Sequence, residues 1–300
     1  MSKNLRGSII LIITALIWGT AFVAQSTAMD QIGPLMFVFS RFLLGGAVLV
    51  PFVFLLNKKR VASGAVSESK QRENTRFSIK AGMICGIGLF GGTTLQQYGL
   101  ITTSAGKSAF ITALYIIVVP VVGIFIGKKV NRNVWVSVVV AIIGFYLLCI
   151  KSGFSIATGD VLCLLSAFAF TFQILSIDHF TESGADPVTL SCTEFFTVAA
   201  IVFLPMLFFE GFHMKLIQDA AFSIFYCGVM SSGVAYTLQV IGQRDTEPAL
   251  ATLLMSLESV FAALSGWIFL HEQMTVREFI GCALVFAAVI VAQLSPNRKR

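Results

Sequence analysis

Four ionisable side chains fall inside long apolar runs of this sequence: Arg41, Asp178, Glu194 and Glu258. A charge in hydrocarbon costs about 2.5 to 3.5 kcal/mol on insertion scales, so each needs a partner or water. Glu258 stands halfway along its run among Ser256, Ser259, Ala262, Ala263 and Ser265, small residues that let a helix or a solute approach closely. A carboxylate there binds a substrate amine or carries a proton between two states; the plain alternative is a protonated glutamate hydrogen-bonded across a helix interface. Arg41 lies roughly 10 Å along its own run at helical rise. It reads as a gating or substrate residue, or as an arginine pairing with backbone carbonyls or snorkelling outward. Glu194 occupies the matching depth of a later run on the opposite side of the membrane, so the two are not expected to pair. Asp178 sits near a run's end and is expected to face loop water.

Amides and aromatics at helical spacing supply a cavity wall. Thr14, Trp18 and Gln25 share one face, Ser166, Phe170 and Gln173 another, and Tyr236, Gln239 and Gln243 a third, while Gln96 and Gln97 stand together. Interhelical amide bonds average only about 0.6 kcal/mol, so stability alone does not explain them, although each amide also reads as interhelical glue. The candidate binding residues are Trp18, Gln25, Gln96, Gln97, Gln173, Tyr236, Gln239 and Glu258; Arg41, Glu194 and Glu258 are candidates for gating or coupling. No catalytic set stands out. Cys85, Cys149, Cys163, Cys192, Cys227 and Cys282 fall singly in separate runs, and His179, His213 and His271 are isolated, so neither metal nor other cofactor is expected. Gly86, Gly88 and Gly91 spell a dinucleotide fingerprint, but inside an apolar run such glycines serve close helix packing.

These residues need a scaffold that holds them in lipid. The 300 residues are 56% hydrophobic and 12% charged, with mean hydropathy +0.87, far from a soluble domain at about 25% charged. A span needs about 20 apolar residues. Ten windows qualify: 8–29, 34–56, 79–101, 105–126, 132–150, 158–178, 187–209, 219–241, 247–270 and 276–295. The first is too long for a cleaved signal segment. The linker 57–78 is polar, charged and expected to be mobile. If the N-terminus is cytoplasmic, sixteen of the 21 Lys and Arg lie in inner segments and four in outer ones, with Arg41 inside a span. That asymmetry predicts both termini inside. The net charge of +6 is thus orientation charge, and nucleic acid is not expected as a partner.

The chain also repeats itself. Gly7, Ala15, Trp18, Pro34, Arg41 and Phe42 correspond to Gly159, Ala167, Phe170, Pro187, Glu194 and Phe195, and Gln96 and Gly99 to Gln239 and Gly242. Five helices per unit is odd, so the second unit enters from the opposite face. An all-α membrane fold of ten helices follows, as two inverted five-helix repeats over 1–151 and 152–300. Inverted repeats suit alternating access, with two related halves rocking about a midplane site. Pro120 and Pro205 are candidate hinges.

The strings SLESVFAALSGWIFLHEQMTVREFIGCALVFAAVIV (256–291) and LIWGTAFVAQ (16–25) resemble EamA-type members of the drug/metabolite transporter superfamily. The resemblance covers essentially the whole chain. It implies a ten-helix transporter, often a bacterial exporter of amino acids or other metabolites, with a central cavity formed by both halves. By register the first half carries Tyr115, a further cavity candidate, where the second carries Glu258, so the paired sites differ chemically.

An enzyme needs a nucleophile-base or metal constellation, which the sequence does not offer. A sensor would usually append a soluble domain. The expectation is therefore a secondary transporter, an exporter of a small organic metabolite such as an amino acid, multi-pass in the plasma (inner) membrane. Its partners are the bilayer, a small-molecule substrate and, on one reading of Glu258, a proton. Drug, nucleoside or sugar derivatives are the alternative cargo, and the oligomeric state is left open.

Overall fold

A computed structural model describes residues 3–128, 130–149, 157–269 and 273–293. The expected boundary at 151–152 lies outside the described residues, as do Lys129, Lys151, His271 and the basic end from Arg298 to Arg300. The described chain is helical: α1 Lys3–Ala28, α2 Pro34–Ala62, α3 Glu68–Gly99, α4 Ala105–Phe125, α5 Arg132–Cys149, α6 Thr158–Glu182, α7 Pro187–Phe209, α8 Ala221–Arg244, α9 in two pieces (Pro248–Met255 and Leu257–Phe269) and α10 Val276–Gln293. Nine are long and apolar enough to cross a membrane, and α5 is an apolar helix just under that length. With short connections the helices alternate in direction. The near end of the bundle is where α1 begins, the far end where α2 begins.

Two expectations change. The stretch 57–78 is almost entirely helical, because α2 runs on to Ala62 and α3 starts at Glu68, leaving only a short turn. Ser67 caps α3 by accepting from Lys70 N, and Lys70–Glu73 and Arg72–Glu68 pairs line the exposed turns, so local rules carry the helix out into water. Asp178 does not face loop water. It is buried, because α6 continues to Glu182 and Lys128 folds back to hold Asp178 at 2.5 Å and Glu182 at 3.0 Å.

The helices do not pack by sequence halves. α3 lies against α6 and α7, α8 lies against α1 and α2, α4 packs on α6 and α9 on α1. The molecule divides into one group of α3, α4, α6 and α7 and a second of α8, α9, α1 and α2. Each mixes both halves, and the inverted repeat maps one onto the other. The packing units therefore cut across the two sequence repeats. Two antiparallel pairs bridge the division: α5 with α10, and α2 with α7.

The α2–α7 seam is fastened at both ends. At the far end, Glu210 accepts from Leu35 N at 2.9 Å and Met36 N at 2.8 Å, satisfying α2's open amides. At the near end, Asp186 caps α7 through Thr189 N and pairs with Arg60 at 2.5 Å.

Repeat-matched glycines set two close crossings. A methyl on Gly99 or Gly159 would strike the other's carbonyl oxygen where α3 crosses α6 at the far end, and Gly7 and Gly242 meet likewise where α1 crosses α8 at the near end. These are the same four glycines that align between the repeats. The fingerprint glycines behave as packing residues too: Gly86 faces Thr197 of α7 and Gly88 faces Gln173 of α6.

Candidate functional site

Both groups contribute a helix that is interrupted halfway. α4 is regular to Thr112 and again from Tyr115, and α9 to Met255 and again from Leu257. At each break the bonding tightens to three-residue turns: Leu114 N donates to Ile111 O, Ile116 N to Ala113 O and Ser259 N to Ser256 O. The α4 break at 113–114 lies beyond the Ile116 carbonyl that Pro120's ring and missing N–H disturb, so Pro120 does not set it, and Pro205 sits inside the continuous α7. Broken helices near mid-bundle are where transporters place their sites.

The two breaks meet. Tyr115 Oη donates to Glu258 Oε1 at 2.9 Å, and both side chains are buried. Around this bond lies a cavity between the groups. Trp18, Phe22 and Gln25 of α1, Arg41 of α2, Ser231, Tyr236 and Gln239 of α8 and Met255 and Glu258 of α9 line one wall. Gln96 of α3, Thr112 and Tyr115 of α4 and Phe170, Gln173 and Ile174 of α6 line the other. The space left for the centre of a water-sized sphere is about 30 Å³, room for roughly one or two waters. Nothing larger fits without the walls parting.

Direct hydrogen bonds hold the walls together. Gln173 and Gln239 bond across the division, Nε2 of each donating to Oε1 of the other at 3.5 and 3.3 Å, and Gln97 Nε2 donates to Gln25 O at 3.4 Å. Other bonds stiffen a single group: Gln96 Nε2 to Thr112 Oγ1 at 3.2 Å, and Trp18 Nε1 to Ser231 O at 3.4 Å. Trp18 packs on Tyr236 with ring centroids 4.7 Å apart. Tyr236 ends a ten-residue π-helical stretch, Cys227–Tyr236, that widens α8 where it meets the cavity.

The two charged candidates on the second helix of each repeat take matching places. Arg41 Nη1 donates to Gln25 Oε1 at 2.6 Å, and Gln173 Nε2 donates to Glu194 Oε1 at 2.8 Å. In each repeat a glutamine of the first helix holds the charge of the second, with opposite sign. Arg41 and Glu194 make no bond with each other, as their depths predict.

Of the sequence candidates, Trp18, Gln25, Arg41, Gln96, Tyr115, Gln173, Tyr236, Gln239 and Glu258 line the cavity. Gln97 and Glu194 stand behind it, supporting Gln25 and Gln173. Phe22, Thr112, Ile174, Ser231 and Met255 complete the wall and were not singled out from sequence. Phe22, Ile174 and Met255 look like any core residue in a hydrophobic run, whereas Thr112 is a polar residue three before Tyr115 and could have been found from it. Of the other faces named, Ser166 is buried beside Thr112, Thr14 bonds to Ile10 O and Gln243 to Ile174 O.

Comparison with known proteins agrees with this architecture. The chain matches the EamA-like transporter family twice, at residues 5–150 and 157–293. It is 29% identical to an uncharacterized transporter of Archaeoglobus fulgidus over 97% of this chain and 87% of that protein. It is 23% identical to the uncharacterized transporter YoaV of Bacillus subtilis over 97% of both, and 22% identical to the uncharacterized inner membrane transporter YicL of Salmonella typhimurium over 100% of this chain and 99% of the relative. One solved crystal structure superposes with a TM-score of 0.75 at 17% identity, covering 97% of both chains, which shows the shared fold. With both halves matched and ten apolar helices in place, the chain belongs to the EamA-like transporter family and is a multi-pass membrane transporter.

Proposed function

We propose that this transporter is secondary, works by alternating access and exports a small organic metabolite, an amino acid or related compound, across the plasma (inner) membrane with both termini cytoplasmic. The observation that carries the reading is the junction of two repeat-related broken helices at a polar cavity, closed by Tyr115–Glu258 and Gln173–Gln239. When the two groups swing apart at one end, those bonds part and the cavity opens there; the inverted repeat makes the opposite swing similar in energy. Glu258 either meets a substrate amine or carries a proton when its bond to Tyr115 breaks.

Purified protein in liposomes tests this. Protein-dependent flux of amino acids or related metabolites supports it, and preference for nucleosides, sugars or drug-like solutes assigns the other cargo class. Absence of flux for every class ends the secondary-transport reading. Orientation has its own test: single cysteines at Ser69 and Lys215, both exposed, are expected to label from the cytoplasmic and the outer side, and the reverse result inverts the topology.

A further inference from the structure

Arg41 is only one per cent exposed and lines the cavity, yet most of its hydrogen-bonding capacity is unused. Nη1 is taken by Gln25, whereas Nε and Nη2 have no hydrogen-bond partner among the described residues. The two carboxylates nearest the cavity each take one other donor, Glu258 from Tyr115 and Glu194 from Gln173, and Glu194 Oε2 is itself without a hydrogen-bond partner among the described residues. Two aromatic rings lie within cation–π distance of the guanidinium, with Cζ 4.8 Å from the Phe42 centroid and 5.4 Å from that of Phe37. One edge, Nε and Nη2, is left without a hydrogen-bond partner among the described residues.

That edge has a specific chemistry. The Nε and Nη2 hydrogens point the same way, forming the fork that takes the two oxygens of a carboxylate in parallel. A buried guanidinium without an anion is costly, and structural arginines in such places are normally saturated with carbonyls or acids. Here Gln25 supplies one neutral acceptor and fixes orientation.

We propose that the free edge of Arg41 seats the carboxylate of the transported solute, which makes the cargo a small monocarboxylate. The assignment rests on the transport reading and narrows it, because a nucleoside or neutral sugar leaves the fork unfilled. The bound carboxylate compensates the buried charge, and because the cavity as seen holds only one or two waters, the solute is seated once the walls part. The aromatic rings of Trp18 and Tyr236 flank the same space and suit an apolar or amino-bearing remainder.

The test uses the purified full-length protein, melted in the presence of protein amino acids, simple monocarboxylates such as lactate and pyruvate, and the amide of each acid. The expected result is saturable stabilisation by one or more acids, with the matching amide at least about tenfold weaker. Arg41→Lys, which keeps the charge but not the fork, is expected to bind the acid about tenfold or more weakly, and Arg41→Gln to lose it. Equal binding of acid and amide, unchanged binding by Arg41→Gln, or no response to any acid overturns the assignment. If Arg41→Gln does not fold, the acid-to-amide comparison on the unaltered protein decides. Flux of neutral solutes alone overturns the carboxylate and leaves transport standing, whereas no flux of any solute removes both.

Discussion

Tyr115 and Glu258, separated by 143 positions in the chain, share a 2.9 Å hydrogen bond that joins the interruptions of two repeat-related helices. Backbone symmetry brings the two breaks together, and side-chain asymmetry makes them a donor and an acceptor.

Tyr115→Phe keeps the ring and deletes the donor. A buried hydrogen bond of about 0.5–1.5 kcal/mol predicts a change in liposome flux of roughly two- to tenfold with normal folding. Glu258→Gln is expected to weaken transport further and flatten its pH dependence while expression is retained. Full transport by Glu258→Gln at every pH tested would remove Glu258 from the mechanism.

Gln173 and Gln239 bond to one another, but Gln173 also donates to Glu194. Gln239→Ala should therefore cost the smaller amount, near the 0.6 kcal/mol average for such bonds. Gln173→Ala strips a buried carboxylate of a donor and should cost about 1–3 kcal/mol of thermal stability. Melting of the two variants and the double variant checks this; equal effects would mean Glu194 does not depend on Gln173.

Gly99→Ala places a methyl against Cys163 Sγ and Gly159 O, so overpacking of about 1–3 kcal/mol and a reduced yield of folded protein are expected. Gly106, within α4, has open space where its methyl would go. Gly106→Ala should be neutral or stabilising by up to about 1 kcal/mol, since alanine is the better helix former. Size-exclusion profiles and melting curves of both variants read the contrast.

Lys128 lies between α4 and α5. Burial alone lowers its pKa, but the hydrogen bonds it donates to Asp178 and Glu182 outweigh that, and the net shift is upward. A raised lysine contributes stability below its unfolded pKa of about 10.4 and loses it as pH climbs through the higher folded value. Lys128→Gln should cost about 1–2 kcal/mol from neutral pH up to roughly pH 10, with the gap to the parent closing only above that. A gap that closes between pH 7 and 9 would contradict the sign.

Much of this was readable beforehand because lipid leaves so few choices. Runs of about 20 apolar residues must be helices, and the residues that break the apolar rule must be buried together. That is why Trp18, Gln25, Arg41, Gln96, Gln173, Tyr236, Gln239 and Glu258 could be named from one chain. Helix grouping was not readable, because hydropathy gives no partner: α3 looks the same whether it packs on α2 or on α6. The helical extension of α3 was missed for a related reason. Polar composition suggested a linker, but Ser67 and the charge pairs after it are capping and spacing signals that compete with composition and win. The π-helical stretch of α8 has no local sequence signature here, as Ser, Gly and Val tolerate several geometries.

The exchange of helices between the halves bears on how the chain is made. The ribosome delivers α1 to α5 first, and the surface of α3 that contacts α6 and α7 meets lipid until those later helices arrive. Residues 1–150 synthesised alone are therefore expected to insert yet be cleared by membrane proteases, and to persist when 151–300 is supplied as a second polypeptide. Stable accumulation of the first fragment by itself would show that its helices find a different arrangement while they wait.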